Sequence, residues 1–483
     1  VTFQHWRVGW LAVVLIALTP SAWAHLGSKD VFETVDAGPY KLFVTIRPPN
    51  VIPGVATIEV RVSGAAVTGL QITPIPLTGE ASKHPPSADQ MKVSAQDPNF
   101  YRGGVWMMQS GSWQVRFGVD GVAGHQTASV PVPAIALSTL KMERGMGWGL
   151  AALGVFLVVS MAGTVAAAVR EARLAPGVAA DAGRRQRGWA AMAAALLVMG
   201  LMVWGGAKWW NVEAATYAGN VYQPMKTVAS LNGDVLDLTV QGIMRDPKVS
   251  RVPSQSNRDF LADHGHLIHL YAIREPEMDA VFHLHPELVG AGDFRMSLPA
   301  MPAGEYTLYG DIVHANGFPE TLVAKVNVPA DKPAQALGPD DAEALPTPLS
   351  KGELGASYRL PDGYTMIWDK PATITATTPY LFHFRLVGTG GQPAGDMRPY
   401  MGMAGHAAFV KTDGTVFAHT HPEGSAAMAA LDMANGPMAG MSTPTGPEVE
   451  FPYGFPTSGA YRIFIQMKHG KTIETGAFDA QVR

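Results

Sequence analysis

The sequence predicts a mainly β protein: three immunoglobulin-like or cupredoxin-like β-sandwich domains plus a two-helix transmembrane hairpin. Three observations carry that expectation. Short runs of β-branched and aromatic residues, punctuated by Pro and Gly, fill both ends of the chain. Two uncharged apolar stretches, each long enough to cross a bilayer, interrupt them. The last two β-rich blocks repeat one another.

Residues 1–24 read as a signal peptide: a short basic start with His5 and Arg7, the apolar run GWLAVVLIALTP, then SAWA. Ala22 and Ala24 fit the small-residue positions of a cleavage site. The apolar run is short for a span, so cleavage is expected and His25 becomes the first mature residue. Residues 25–140 follow as a β-sandwich, with strand-like runs YKLFVTI, ATIEVRV, GVWMM and WQVRFGV.

Transmembrane helices are expected at 146–169 and 188–207. The loop between them, 170–187, holds Arg170, Arg173, Arg184, Arg185 and Arg187, whereas the outer flanks offer only Lys141, Arg144 and Lys208. By the positive-inside tendency this loop is cytoplasmic. Both soluble portions are then expected on the periplasmic side of the inner (cytoplasmic) membrane. Beyond the hairpin, one β-sandwich module is expected at 215–330 and a second at 351–483. The Pro-, Ala- and Asp-rich stretch 331–350 reads as a linker.

Composition narrows the function. The 483 residues include 36 basic and 40 acidic ones with no block of like charge, so nucleic acid is not expected as a partner. There is no cysteine. Disulfides, thiolate metal sites and a blue-copper centre are therefore excluded, and any metal must be held by His, Met, carboxylate or backbone.

The repeat is specific. In the first module Gly265-His266 precedes VFHLHPE, then come Gly304-x-Tyr306, His314 and Glu320-Thr321. In the second, Gly405-His406, VFAHTHPE, Gly459-x-Tyr461, His469 and Glu474-Thr475 follow in the same order. Aligned this way, the first copy is four residues longer between Gly-His and His-x-His, where REPEMD replaces TDG.

Residues two apart on a strand face the same way, with Cα atoms about 6.5 to 7 Å apart, so two imidazoles there can reach one ion. His283 with His285, and His419 with His421, form such pairs. His266 or His406, and His314 or His469, are candidates to complete each set. Imidazole suits Cu(II), Zn(II) and Ni(II), and thioethers shift preference towards Cu(I). Met401 and Met403, just before the second Gly-His, are candidate thioether ligands. His25, if exposed by cleavage, offers a free amino group beside its imidazole, a chelate no internal histidine has. Affinity should fall below about pH 6 as imidazoles protonate. The alternative stays open that each His-x-His only supports a turn through bonds to backbone carbonyls. His84, His125 and His383 read as surface or hydrogen-bonded residues.

GPYKLFVTIRPPNVIPGVATIEVRV, followed by FYRGGVWMMQSGSWQVRFGVDG, resembles the YtkA-like and FixH-like periplasmic β-sandwich family. The modules carrying MGMAGHAAFV, VFAHTHP and GAYRIFIQMKH are similar to the same group, and to the Gly-His, His-x-His-Pro modules of copper-handling periplasmic proteins. The resemblance implies a sandwich fold and a link to copper or to cytochrome oxidase biogenesis. Copper-handling or oxidase-assembly proteins would be the partners. The chain is also similar to CopC-like copper carriers, whose mature N-terminus is a ligand histidine, here His25, although their later Asp-x-His element is not evident.

The expected function is a membrane-anchored periplasmic protein that binds copper, as Cu(I) or Cu(II), with zinc possible as the ion, and hands it over. A non-metal envelope scaffold with structural histidines is the competing reading. An enzyme is not expected: a metallohydrolase needs a carboxylate base at an open site, and Glu287 and Glu423 are the only repeated candidates. Whether the modules share one site or hold one each stays open.

Overall fold

The computed structural model describes residues 30–246, 250, 252–331, 333–436 and 445–483. The expected signal peptide over 1–24 and His25 lie outside the described residues. Two compact units result: Ala136–Tyr222 with Asp246–Val252, and the β-structure that comprises the rest.

The first unit is built on two helices, Arg144–Glu171 and Ala182–Ala218. Their mean hydropathies over the most apolar windows are 2.2 and 1.9, and at most 6% of those windows is buried. At 1.5 Å per residue, the 28 and 37 residues are long enough to cross a bilayer. Trp148, Phe156, Leu197 and Trp204 face outward, an arrangement that lipid satisfies and water does not. The helices touch where Gly188 is buried: a Cβ there would lie 3.1 Å from the Ala166 carbonyl oxygen. Close approach of backbones through small residues is how membrane helices pair. Asp181 starts the second helix by accepting from the Arg184 backbone N–H at 2.8 Å.

In the β-unit the fold is mainly β, as the sequence predicts. The N-terminal part stacks a five-stranded sheet, containing Val31–Ala37, Tyr40–Arg47, Gly54–Gly64 and Phe100–Met107, with a four-stranded one containing Val67–Pro76, Gly111–Gly121 and Gly124–Ala134. The period-two pattern decides which face turns in. Along Gly54–Gly64, Ala56, Ile58, Val60 and Val62 are buried while Val55, Thr57 and Arg61 are exposed.

The two C-terminal modules are copies in strand order as well as in sequence. In the first, Gly304–His314 pairs with Phe260–Leu261, His269–Arg274 and Pro319–Val328, and Val281–Leu284 adds to His269–Arg274. In the second, Gly459–His469 pairs with Met397–Arg398, His406–Lys411 and Thr472–Val482, and Phe417–Thr420 adds to His406–Lys411. The stretch read as a linker contributes Ala342–Ala344, which extends the first module's sheet beside Val281–Leu284. Between Phe417–Thr420 and Glu448–Tyr453 the second module inserts a helix, Met428–Asn435.

Gly459–His469 is buried on both faces. Ile463, Ile465 and Met467 enter the module's own core with Trp368 and Phe409. Phe464 turns the other way and packs with Tyr271, Tyr309 and Phe417, a cluster drawn from both modules. Tyr309 and Phe417 stack at 4.4 Å between ring centroids. Each such side chain removed from water contributes about 1.5 to 3 kcal/mol. Arg462, fully buried, pairs with Asp479 at 2.8 and 2.9 Å and donates to the Met278 carbonyl at 3.0 Å and the Thr347 carbonyl at 2.9 Å. The modules therefore meet through their histidine-bearing sheets.

Candidate metal centre

Strand pairing fixes which histidines correspond. Tyr271 faces His283 in the first module and Ala408 faces His419 in the second. His269 and His406 thus hold the same position, each the first residue of its strand. The alignment of His266 with His406 is three residues out of register. Gly265-His266 instead lies in a turn closed by mutual backbone bonds between Asp263 and His266. A shared Gly-His is a short signal, and the strand ladder outranks it.

Eight histidines converge where the two sheets meet: His264, His266, His269, His283, His285, His406, His419 and His421. Within them His269, His283 and His285 form one triad and His406, His419 and His421 another, each with ligand nitrogens within 4.8 Å of one another. The triads adjoin: His419 lies 5.5 Å by ring centroids from both His269 and His283.

Outer partners orient the rings. His269 Nε2 meets the Asp263 carbonyl at 2.9 Å, His283 Nδ1 meets Gln466 Oε1 at 2.8 Å, and His285 Nδ1 meets Asp341 Oδ1 at 3.0 Å. In the second triad His406 Nε2 lies 3.3 Å from the Tyr400 carbonyl, and His419 Nδ1 lies 3.4 Å from Asp311 Oδ2. His421 is hydrogen-bonded to the Ala426 backbone. The inward nitrogens remain. His269 Nδ1 and His283 Nε2 are 3.2 Å apart, His406 Nδ1 and His419 Nε2 are 3.1 Å apart, and Nε2 of His285 and of His421 is buried without a hydrogen-bond partner. Ligand nitrogens about 2.0 Å from a tetrahedral ion stand about 3.3 Å apart. Metal-ligating histidines have this outer-partner arrangement, which fixes the tautomer.

Burial, reinforced by neighbouring imidazoles, pushes His269, His283, His406, His419 and His421 well below the ordinary 6.5. His285 is lowered by burial too, against the opposing Asp341. Neutral imidazole is the ligand form. Burial pushes the Asp311 carboxyl up to about 7, against a hydrogen bond from Thr321.

His264 borders the second triad, 4.8 Å from His421 by ring centroids, with its own Nε2 unpartnered. It holds φ +50°, a left-handed conformation that costs a non-glycine residue about 1 to 2 kcal/mol. Neighbouring Asp263 is raised by burial and accepts from the Ala429 N–H at 3.1 Å. His266 stacks on His285 at 4.0 Å and lies 3.3 Å from Asp340.

The other expected ligands sit elsewhere. His314 is held by Asp259 at 3.1 Å and Glu320 at 3.2 Å, and His469 by Asp396 at 3.3 Å and Asp362 at 3.0 Å. Neither stands among the eight: each lies three residues beyond Asp311 or Gln466, the residues that pair with His269 and His406, and so turns to the opposite face of its strand. His469 with Asp362 and Glu474 forms a separate cluster. Met401 and the buried Met403 belong to the turn that Tyr400 and Met403 close by mutual backbone bonds, immediately before His406. Glu287 is exposed. His264 and His269 were missed by sequence reasoning, although the segment HGHLIH holds them two residues before and three residues after His266; strand register is the signal that finds His269.

The loop after His421 is held by the N-terminal sheet. Ser425 donates its N–H to the Phe32 carbonyl at 2.9 Å, and Ala426 donates to the buried Glu33 carboxyl at 3.1 Å.

A family model described as a domain of unknown function, DUF8832, matches residues 358–483, the second module. No curated protein matches the chain. Among solved structures, similarity is found to an engineered protein at 16% identity, covering 20% of this chain and 21% of that one, with a TM-score of 0.16. The native E. coli alpha-2-macroglobulin is matched at 9% identity over 93% of this chain and 23% of that one, with a TM-score of 0.21. Dimeric latent PorU from Porphyromonas gingivalis is matched at 9% identity over 91% and 34%, with a TM-score of 0.15. Likeness at these scores carries no functional argument.

Proposed function

We propose that this is a membrane-anchored periplasmic metal-binding protein that takes up copper in the histidine cluster between its two C-terminal modules and passes it on. The observation that carries the reading is that six neutral, buried imidazoles, in two register-equivalent triads, turn one nitrogen each inward while the other is engaged outside. In each triad two inward nitrogens engage one another, but the third, His285 Nε2 or His421 Nε2, engages nothing, where a purely structural set would satisfy it. An all-imidazole set suits copper and zinc, and the resemblance to copper-handling modules favours copper. Half-buried His264 and His266 mark the rim through which an ion enters and leaves. The helical pair anchors the protein, with the arginine-rich loop on the cytoplasmic side.

The test is titration of the detergent-solubilised full chain with Cu(I), Cu(II) and Zn(II), followed by thermal unfolding. Uptake with a rise in midpoint is expected, since a ligand of the folded state stabilises it. The reading is overturned if none of the three ions binds, or if a His283→Ala/His285→Ala variant binds as the parent does. A variant that loses stability equally with and without metal would favour a scaffold with structural histidines.

A further inference from the structure

We propose that the cluster is a two-ion centre, one ion held by His406, His419 and His421 and the other by His269, His283 and His285. This rests on the metal-binding reading above and adds stoichiometry and the residues that set it.

The inward atoms match one for one. Each triad offers Nδ1 from the first residue of a strand, Nε2 from the partner-strand histidine, and Nε2 from the histidine two residues further on. The closest inward pairs, 3.2 Å and 3.1 Å, lie within a triad and not across the boundary. Two equivalent three-nitrogen sites side by side follow from this duplication. A single ion would leave half of the inward nitrogens unused.

The outer partners are exchanged between modules. His283 of the first module is held by Gln466 of the second, and His419 of the second faces Asp311 of the first. Gln466 and Asp311 are themselves equivalent: they pair across the ladder with His406 and His269 respectively. Each also bonds a threonine on the next strand, Gln466 with Thr475 and Asp311 with Thr321. Neither site is complete until the modules dock. Each triad also has one carboxylate behind a ring, Asp311 beside His419 and Asp341 beside His285. A carboxylate behind a ligating imidazole raises its basicity and favours the cationic complex, and losing such a partner typically costs 10- to 100-fold in affinity. The second ion to arrive meets the charge of the first, which separates the two steps.

The experiment is a Cu(I) titration of the metal-free full chain in detergent, against a competing chromophoric chelator. Two ions per chain in two resolved steps are expected. His421→Ala and His285→Ala each keep one ion per chain. Asp311→Asn weakens the step that remains in His285→Ala by about 10- to 100-fold and leaves the step that remains in His421→Ala. Gln466→Glu, which retains the acceptor for His283 and Tyr271, strengthens the step that remains in His421→Ala. Saturation of the parent at one ion per chain overturns the proposal, as does a His421→Ala or His285→Ala chain that still takes up two. Absence of any binding would instead sink the metal-binding reading itself.

Discussion

Asp311 and Gln466 hold the same position in the two copies of the module, and each reaches across the boundary to a histidine of the other copy. The duplicated strands thus make one composite centre. Gln466 Oε1 also accepts from the Tyr271 hydroxyl at 3.1 Å, and its Nε2 donates to Thr475 at 3.2 Å, which fixes the amide orientation.

The register correction can be checked directly. His269→Ala removes an inward nitrogen and is expected to weaken metal uptake at least as much as His283→Ala. His266→Ala, which trims a half-buried ring at the rim, should cost less. Competition titration of the three variants decides it; equal losses for His266→Ala and His269→Ala would restore the original alignment.

Arg462 tests the docking of the modules. Its guanidinium satisfies Asp479 and carbonyls of Met278 and Thr347 with no solvent exposure. Arg462→Met strands the Asp479 carboxylate, and breaking a buried pair from one side costs about 3 to 5 kcal/mol. A lower urea midpoint for the C-terminal transition is expected, with partial recovery in Arg462→Met/Asp479→Leu.

Glu33 supplies a pH dependence outside the metal centre. Burial raises its carboxyl well above 4.5, against the stabilising bond from Ala426. The folded state therefore holds a proton that the unfolded chain releases near 4.5, so this group's contribution is full below that pH. It falls as pH rises towards the folded value, by about 1.4 kcal/mol per unit. Glu33→Gln should flatten that part of the stability profile of the metal-free protein, measured by urea unfolding between pH 4.5 and neutrality. A profile unchanged from the parent would contradict it.

Gly188 tests the helical pair. Any side chain there meets the Ala166 carbonyl and the Arg170 Cβ, at 3.1 and 3.2 Å from the first carbon. Gly188→Leu should separate the helices, lowering the SDS concentration at which the detergent-solubilised protein loses helix–helix contact.

The sequence by itself determined the kinds of element and their order. Alternation along Gly54–Gly64 needs only its own side chains to choose an inward face, and the apolar stretches within Arg144–Glu171 and Ala182–Ala218 are defined by local composition. It also made the duplication and both His-x-His pairs legible, because residues two apart on a strand share a face whatever surrounds them. Only the tertiary structure decided which other histidines join them. His269 replaces His266 because inter-strand register, set across separate strands, outranks a shared dipeptide. His314 and His469 go to carboxylate partners of their own because each sits three residues beyond Asp311 or Gln466 and so faces the other side of its strand. The exchange of Asp311 and Gln466 was invisible along the chain, since it depends on two sheets packing face to face through Tyr271, Tyr309, Phe417 and Phe464. That packing brings together nitrogens that belong to different modules, and no spacing within either one encodes it.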